Sequence, residues 1–485
     1  MFSFLRPLLS RRELLSSEAG DDEFLSLAKE MSAGSERVLL VSGGEESSGR
    51  YSLAAWDPYI IFRSKGNKLE VRLPDRTEIF EGEPLEVLDE ILEASRPDFE
   101  LEGPFSGGAI GYFAYELKNR LERLPQKALD DLDLPEIYGI FPRSILIHDR
   151  QKKEIRITEL STEKKEFPKQ FSDSLNTNLH SRAGGNKKEI GQSSNAPETP
   201  KEFHKPFIGT LESSFSHEDY CEAVRKILAA LQAGEAYQVN LSQRFRFPFR
   251  GDPLAFWEQL LRRNPAPHFA YLDAGDHQVL STSMERFLLR QGPLVETRPI
   301  KGTRKRGKNR KEDEFFKADL MNSAKDDAEL TMIVDLLRND LGRLCLTGSV
   351  KVREHRKLEA YHNVFHLVST VEGELPAGTS HGSLLRSTFP GGSITGCPKI
   401  RAMEIIDELE PCVRHVYTGA IGYLGWHENL DLSVAIRTAL IHRETGYLSV
   451  GGGIVADSKE EDEYQETLDK GQTFFQLLEN EKNER

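Results

Sequence analysis

Cysteine is scarce in this 485-residue chain, which has four: Cys221, Cys345, Cys397 and Cys412. No two form a Cys-x-x-Cys pair, and such wide spacing excludes a disulfide-dense scaffold, so a reducing, cytoplasmic setting is expected. None sits in a Gly-x-Cys-x-Gly elbow, the setting of an activated thiol, so the chain is not expected to hydrolyse glutamine. Long apolar runs are missing too. No stretch approaches the roughly 20 residues a membrane helix needs, and Met1 to Leu9 is short and broken by Arg6 and Pro7, unlike a signal peptide. The formal net charge of -14 excludes a general nucleic-acid binder, whose phosphate contacts need a basic surface. An anionic ligand would have to be held by local charge instead.

With 29% charged and 38% apolar residues, the composition fits a soluble globular protein with a large core. Residues 1–20 read as an extension. Over 21–160, short apolar runs at Val38 to Val41, Tyr51 to Trp56, Tyr59 to Phe62 and Ile145 to Ile147 predict strands. The small residues from Pro104 to Glu116 mark close backbone approach. Residues 161–207, rich in Lys, Glu, Ser, Asn and Gly, read as a charged, partly disordered linker. Residues 208–480 form the last region. There Ser216 opens a helix with Tyr220, Val224, Ile227, Leu228 and Leu231 on one face, and Gly234 ends it. Strands are expected at Tyr237 to Phe247, Val279 to Ser283 and Leu294 to Thr297. Helices are expected at Asn322 to Leu341, Pro398 to Leu409 and Lys459 to Leu478, the last with a Ser458/Glu461 capping box.

Four groups of residues have chemical potential. Asp326 and Glu329 are three apart on one expected helix, and Glu463 and Glu466 on another, so each pair shares a face. Such pairs either complement helix dipoles or, facing each other, offer hard oxygen ligands to Mg²⁺. Phe389 to Lys399 is a Gly-rich loop entering a helix, either a plain turn or a cradle for a carboxylate; it lacks the Gly-Lys-Ser/Thr ending of a Walker loop. Glu285, at a strand end, is either a salt-bridge partner of Arg286 or a raised-pKa general acid. His366 and His362 read as core histidines when taken alone. Lys301 lies in a run where eight of the fourteen residues from Arg298 to Lys311 are basic. That run is a solvated loop or an anion-binding patch, but Lys301 follows Pro299-Ile300 beside an apolar strand, where a desolvated amine would be nucleophilic.

Taken in order, these features resemble the chorismate-utilising enzymes. The resemblance rests on Glu285, Pro299-Ile300-Lys301-Gly302-Thr303, Asp326/Glu329, His366 to Ser369, the Gly391 loop, Tyr417 to Tyr423, Ala435 to Thr438, Gly451 to Val455 and Glu463/Glu466. It is dense from Ser216 to Leu478 and looser over residues 21–150. It implies an α+β, anthranilate-synthase-component-I-like fold with two large antiparallel sheets flanked by helices. It further implies Mg²⁺ on Glu329 and Glu466, with Asp326 and Glu463 close by through water. Arg437, Lys470 and the amides of Gly451, Gly452 and Gly453 would hold the ring carboxylate of chorismate, with Tyr417 near. Thr395 and Gly396 would line the ring, and His366 would face its C4 end.

Two positions choose among the reactions of that family. Members making anthranilate, isochorismate or salicylate usually carry Ala where Lys301 stands, whereas lysine is typical of the branch that forms 4-amino-4-deoxychorismate on the way to p-aminobenzoate and folate. Gln238 stands where water-adding members carry a lysine base. The resemblance therefore implies attack by Lys301 at C2, protonation of the departing C4 hydroxyl by Glu285, and addition of ammonia supplied by a separate glutamine amidotransferase subunit. An anthranilate synthase large component is the alternative, and a ligand-binding scaffold without turnover is a third reading. Cys397 replaces a commoner Ala, and Asn264 to Phe269 only partly resembles the segment involved in tryptophan feedback.

Overall fold

The computed structural model describes residues 6–34, 36–44, 49–162, 207–208, 211–361 and 364–483. Nearly all of the segment expected as a linker lies outside these residues, as does His362.

Two antiparallel sheets share a pair of long strands, Tyr51–Lys65 and Ile137–Asp149. These strands bend between sheets at Asp57, whose φ is 54°, and Pro58, where the pairing register slips. Proline and a left-handed residue interrupt a ladder, so one strand serves two sheets. Tyr51 to Trp56 and Tyr59 to Phe62, expected as separate strands, are the two limbs of this one. In the first sheet the early limb pairs with Arg37–Val41, followed by His268–Asp273, His277–Ser283, Thr438–His442, Thr445–Ile454 and Gln238–Arg250. In the second, Ile137–Asp149 pairs with Gly108–Phe113, followed by Ala420–Gly425, Asn429–Val434, Arg286–Gln291, Leu294–Arg298 and Val364–Glu374.

The facing sides of the sheets make one core, with Leu53, Ile110, Tyr112, Ile145, Leu272, Val279, Ile421 and Leu440 in contact. Helices close the outer faces. Asp21–Met31 and Pro253–Arg263 cover the first sheet through Phe24, Trp257 and Leu260, while Pro84–Ala94, Ala324–Gly342 and His381–Thr388 cover the second through Leu88, Leu330 and Leu384. His217–Gln232 and Lys399–Leu409 pack on Gln238–Arg250. Each sheet thus joins early strands to late ones at a single seam, Arg37–Val41 on His268–Asp273 in the first and Gly108–Phe113 on Ala420–Gly425 in the second.

Ser216 caps its helix as expected, accepting from the Asp219 amide at 3.1 Å. The Ser458/Glu461 capping box does not form. The helix runs Glu460–Asn483, the Ser458 hydroxyl bonds Glu463 and the Val455 amide, and the Glu461 carboxylate turns out to His217. The basic run is not a loop: Ile300–Lys305 is a strand on Val364–Glu374, and Arg310–Met321 is a helix capped by Asn309. Asn322 ends that helix, so the next one begins at Ala324 under Ser323.

Glycines line up across the second sheet, Gly422 opposite Gly111 and Gly111 opposite Gly139. A Cβ on Gly111 would lie 1.9 Å from the Tyr138 carbonyl oxygen, whereas one on Gly139 would meet nothing nearer than 3.9 Å. Gly111→Ala is expected to lower stability by about 2–3 kcal/mol through overpacking, and Gly139→Ala to change it by less than about 1 kcal/mol. Urea unfolding midpoints of the two variants measure this difference.

Candidate active site

Pro299 separates Leu294–Arg298 from Ile300–Lys305, and Gly302, with φ at 70°, shifts the register between Lys301 and Thr303. The kink brings Lys301 into the space between the second sheet and the helix Ala324–Gly342. A Cβ on Gly302 would sit 2.9 Å from Leu320 and 3.1 Å from Asp326, so glycine permits this close approach. Burial lowers the pKa of the Lys301 amine, assisted by Lys470 and opposed by Glu329, Glu285 and Glu466. Among the described residues Lys301 has no ion-pair partner within bonding distance.

Glu285 follows the strand His277–Ser283 and is buried at 6% exposure. Its carboxylate accepts from the Ser393 hydroxyl at 2.5 Å and from the Ile300 amide. Burial pushes its pKa up to about 7, with Ser393 and the charge of Lys301 holding it from rising further. The carboxyl therefore carries a proton much of the time near neutrality. The expected partner Arg286 pairs instead with Asp431 at 3.0 Å and Glu296 at 3.5 Å.

His366 lies opposite Thr303 in the neighbouring strand. Burial lowers its pKa to about 4, so the ring is neutral. Its Nδ1 is 3.0 Å from Thr303 Oγ1 and 3.3 Å from the Gly302 carbonyl. A carbonyl only accepts, so the proton belongs on Nδ1, leaving Nε2 as an acceptor. Nε2 is buried and has no partner among the described residues.

The two carboxylate helices face each other across the same space. Burial raises the pKa of Glu329, which also feels Lys301, Asp326 and Glu466. Burial also pushes Glu466 up, but Lys470, at 2.5 Å, and Lys301 outweigh it and leave the net shift downward. Glu463 is raised by burial and has an unpartnered buried oxygen, Oε2. Asp326 is paired with Arg304 at 3.2 Å. These four carboxylates do not cluster as tightly as a closed metal cage. Among the described residues, the one trio of donors with all ligand atoms within 4.8 Å of each other is His217, Cys221 and Glu461. Like charges this near repel, and Lys470 and Arg304 each hold one away from the rest.

Gly451, Gly452 and Gly453 lie inside the strand Thr445–Ile454 opposite Ser242, Leu241 and Asn240. Lys470 donates to the Gly451 carbonyl at 2.9 Å. Along an extended strand the N–H and C=O of one residue point the same way, so the Gly451 amide faces that open edge too. A Cβ on Gly452 would lie 3.2 Å from Glu466, 3.3 Å from Glu463 and 3.5 Å from Lys470, which makes this strand the floor of the carboxylate site. Arg437, at φ 51°, turns its buried guanidinium onto the Lys470 carbonyl. The titratable groups that act on it are Tyr417, whose own pKa burial pushes up to about 12 and which is therefore a neutral phenol, and the charged Glu466.

Gln238 is buried and donates to Asn240 at 3.3 Å, while its own Oε1 has no partner among the described residues. Asn240 continues to the Ser393 carbonyl at 2.9 Å, which links this strand to the partner of Glu285. A Cβ on Gly396 would lie 2.2 Å from the Gln238 carbonyl oxygen, and Thr395 is fully buried with its hydroxyl on the Gly391 carbonyl. The Gly391 loop does not run straight into its helix. A turn of 3₁₀ helix, Gly392–Ile394, and a two-residue strand, Gly396–Cys397, intervene.

Sequence reasoning missed two groups. Ser393 was visible only as a loop residue. Arg414 and Glu410 gave no local signal, yet Arg414 donates to both Glu410 oxygens at 2.7 and 2.9 Å, to the carbonyls of Ile394 at 3.1 Å and Asn240 at 2.8 Å, and to Thr418 at 3.3 Å. A cavity of about 460 Å³ lies apart from Lys301, between the sheets, lined by Arg50, Pro267, Phe269, Arg286, Tyr423 and Asp431 among others. The Asn264 to Phe269 segment borders it.

Comparison with known proteins gives the family and the fold. The sequence profile of the family described as chorismate binding enzyme matches residues 36–476. The chain is 38% identical over 446 residues to aminodeoxychorismate synthase component 1 of Escherichia coli strain K12, covering 91% of this chain and 93% of that one. It is 34% identical over 482 residues to anthranilate synthase component 1 of Acetivibrio thermocellus, covering 94% and 92%. The crystal structure of anthranilate synthase component I from Streptococcus pneumoniae TIGR4 superimposes with a TM-score of 0.75 at 30% identity, covering 90% of this chain and 93% of that one.

Proposed function

We propose, for a chain that belongs to the family of chorismate binding enzymes, the reaction of an aminodeoxychorismate synthase component I: chorismate and ammonia give 4-amino-4-deoxychorismate and water. The observation that carries this reading within the family is a half-buried lysine whose pKa desolvation lowers, Lys301, set against the proton-bearing carboxyl of Glu285. The anthranilate reaction would instead release pyruvate.

The C4 hydroxyl of chorismate is a poor leaving group, so it needs a proton, and the ring needs a nucleophile. The neutral Lys301 amine forms a bond to C2, the ring double bonds shift, the C4–O bond breaks, and Glu285 gives its proton to the departing oxygen. Ammonia then forms the C4–N bond as the C2–N bond breaks, and Glu285 takes back the proton the new amine sheds. Nothing is oxidised, and both side chains return to their starting states. The acceptor Nε2 of neutral His366 suits the C4 end, where it can orient an incoming N–H. Arg437, Lys470 and the outward Gly451 and Gly453 amides suit the ring carboxylate, with Tyr417 beside Arg437, the amide of Gly452 engaged in the ladder, and Thr395 and Gly396 along the ring. Gln238 offers no base, and ammonia needs none.

The hard oxygen donors of Glu329 and Glu466, with Asp326 and Glu463 beyond them, fit Mg²⁺, as the orphaned Glu463 oxygen and the floor left open by Gly452 suggest. Bound there, the ion would neutralise substrate carboxylate charge as a Lewis acid. The relatives' designation as component 1 supports a second component, here taken as a glutamine amidotransferase. The four cysteines, all free thiols, are consistent with a cytoplasmic setting.

Incubation with chorismate and Mg²⁺ without ammonia, followed by denaturing mass spectrometry, is expected to show an adduct on Lys301 that is absent from Lys301→Ala. Its formation should slow above about pH 7 as Glu285 loses its proton. Full aminodeoxychorismate synthesis by Lys301→Ala would refute the assignment.

Glu329→Gln and Glu466→Gln, which replace one charge by an isosteric amide, are expected to abolish Mg²⁺-dependent activity with circular dichroism unchanged. Wild-type Mg²⁺ dependence in both variants would remove these residues from the metal site.

With limiting ammonium the isolated chain should work faster as pH rises toward about 7, where more free ammonia is present and Glu285 still keeps much of its proton. It should gain glutamine dependence only when the amidotransferase subunit is added. Product mass and pyruvate release, measured together, separate this reaction from anthranilate synthesis, and glutamine-dependent turnover by the chain alone would exclude the partner.

A further inference from the structure

Three donors of different chemistry meet where the helices His217–Gln232 and Glu460–Asn483 begin, outside the site described above. His217 Nε2 lies 2.8 Å from a Glu461 carboxylate oxygen and 3.9 Å from Cys221 Sγ. One ligand atom from each falls within 4.8 Å of the other two. His217 and Cys221 are four residues apart and so share a helix face. The Tyr464 ring meets the His217 ring edge-on at 4.6 Å, which fixes its orientation. Cys221 is buried at 4% exposure behind the half-exposed histidine, and its thiol is free. Failure of the expected capping box is what releases Glu461 to complete the group.

We propose that His217 Nε2, Cys221 Sγ and Glu461 form a site for a borderline divalent cation of the Zn²⁺ class, separate from the oxygen-only Mg²⁺ site. Imidazole, thiolate and carboxylate bind Zn²⁺ at about 2.0–2.3 Å, so tetrahedral ligation sets N and S about 3.5 Å apart and N and O about 3.3 Å apart. The distances found lie a few tenths of an ångström to either side, within reach of small side-chain rotations. Mg²⁺ is a hard ion that favours oxygen ligands, so it does not compete for this set. The fourth position opens to solvent and takes water. Two helix N-termini repel a cation here, but Glu218, Glu222 and Glu460 surround the group with Arg225 as their shared counter-ion, which leaves negative charge in excess. On binding, the thiol proton passes to solvent and the imidazole is neutral. Glu461 shares its helix with Glu463, Glu466 and Lys470, so an ion here would tie the first turn of that helix to its neighbour and bias the carboxylates proposed for Mg²⁺. That last consequence rests on the proposed function; the binding itself does not.

The full chain titrated with Co²⁺ in excess Mg²⁺ is expected to develop thiolate-to-metal charge-transfer absorption, lost when one equivalent of Zn²⁺ displaces the probe. Cys221→Ser should abolish the band, and His217→Gln should weaken Zn²⁺ binding by about tenfold or more. Both variants should stay folded by circular dichroism and keep the basal ammonium-dependent activity of the metal-free protein. No band in the wild type, a band that persists in Cys221→Ser, or equal Zn²⁺ affinity in His217→Gln would overturn the proposal. An inactive wild type would count against the reaction proposed above while leaving this titration readable.

Discussion

A guanidinium almost cut off from water sits where the elements of the site converge. Arg414 is 4% exposed and stacks over the Tyr115 ring at 4.7 Å. Its hydrogen bonds tie the Gly391 loop, the strand bearing Gln238 and the turn at Tyr417 to Glu410, which itself accepts from the amide and hydroxyl of Ser242 at 2.8 and 2.9 Å. Burial works against the charge of Arg414, and Glu410 and the aromatic hydroxyls around it more than compensate, keeping the guanidinium protonated. Breaking one partner of such a pair typically costs about 3–5 kcal/mol, because the other charge is stranded. The planar fork also sets direction: a lysine here would supply charge without fixing three backbone segments at once.

Around this clamp the charges are few and alternate. Lys301 stands among Glu285, Glu329 and Glu466, and Lys470 between Glu466 and the Gly451 carbonyl. Desolvation pushes the buried groups toward their neutral forms, and neighbours of opposite sign push back by different amounts. Glu285, hydrogen-bonded by Ser393 and remote from any guanidinium, keeps its proton more readily than Glu466, which lies against an ammonium. Identical side chains therefore acquire different roles from their surroundings alone.

Much of this was legible before any coordinates. The periodicity of Tyr220, Val224, Ile227 and Leu231 and the Ser216 cap place their helix correctly, because both signals are local. Glu285 and Lys301 were legible as a pair through the family pattern. What failed had longer reach. Ser458 prefers a buried carboxylate five residues on to the amide a capping box would offer, a tertiary choice that propensity does not encode. The basic run looks like solvent-exposed loop until Arg298, Arg304 and Arg306 find Glu359, Asp319 and Asp313 across neighbouring elements. Arg414 was invisible because what it ties together are two backbone carbonyls from distant segments, those of Asn240 and Ile394, which carry no side-chain signature.

The seam between early and late strands in each sheet has a consequence for how the chain acquires its shape during synthesis. Arg37–Val41, paired early with Tyr51–Lys65, must wait for His268–Asp273 to gain its second neighbour, and Gly108–Phe113, paired early with Ile137–Asp149, must wait for Ala420–Gly425. At roughly 5–20 residues per second, about 15–60 s separate translation of the second pair. During that interval the strand Gly108–Phe113, whose every residue is buried in the finished protein, offers an unpaired edge to whatever it meets. Pairings this remote in sequence also slow the search for the native register. The nascent chain thus keeps this edge uncovered until its last third has been made.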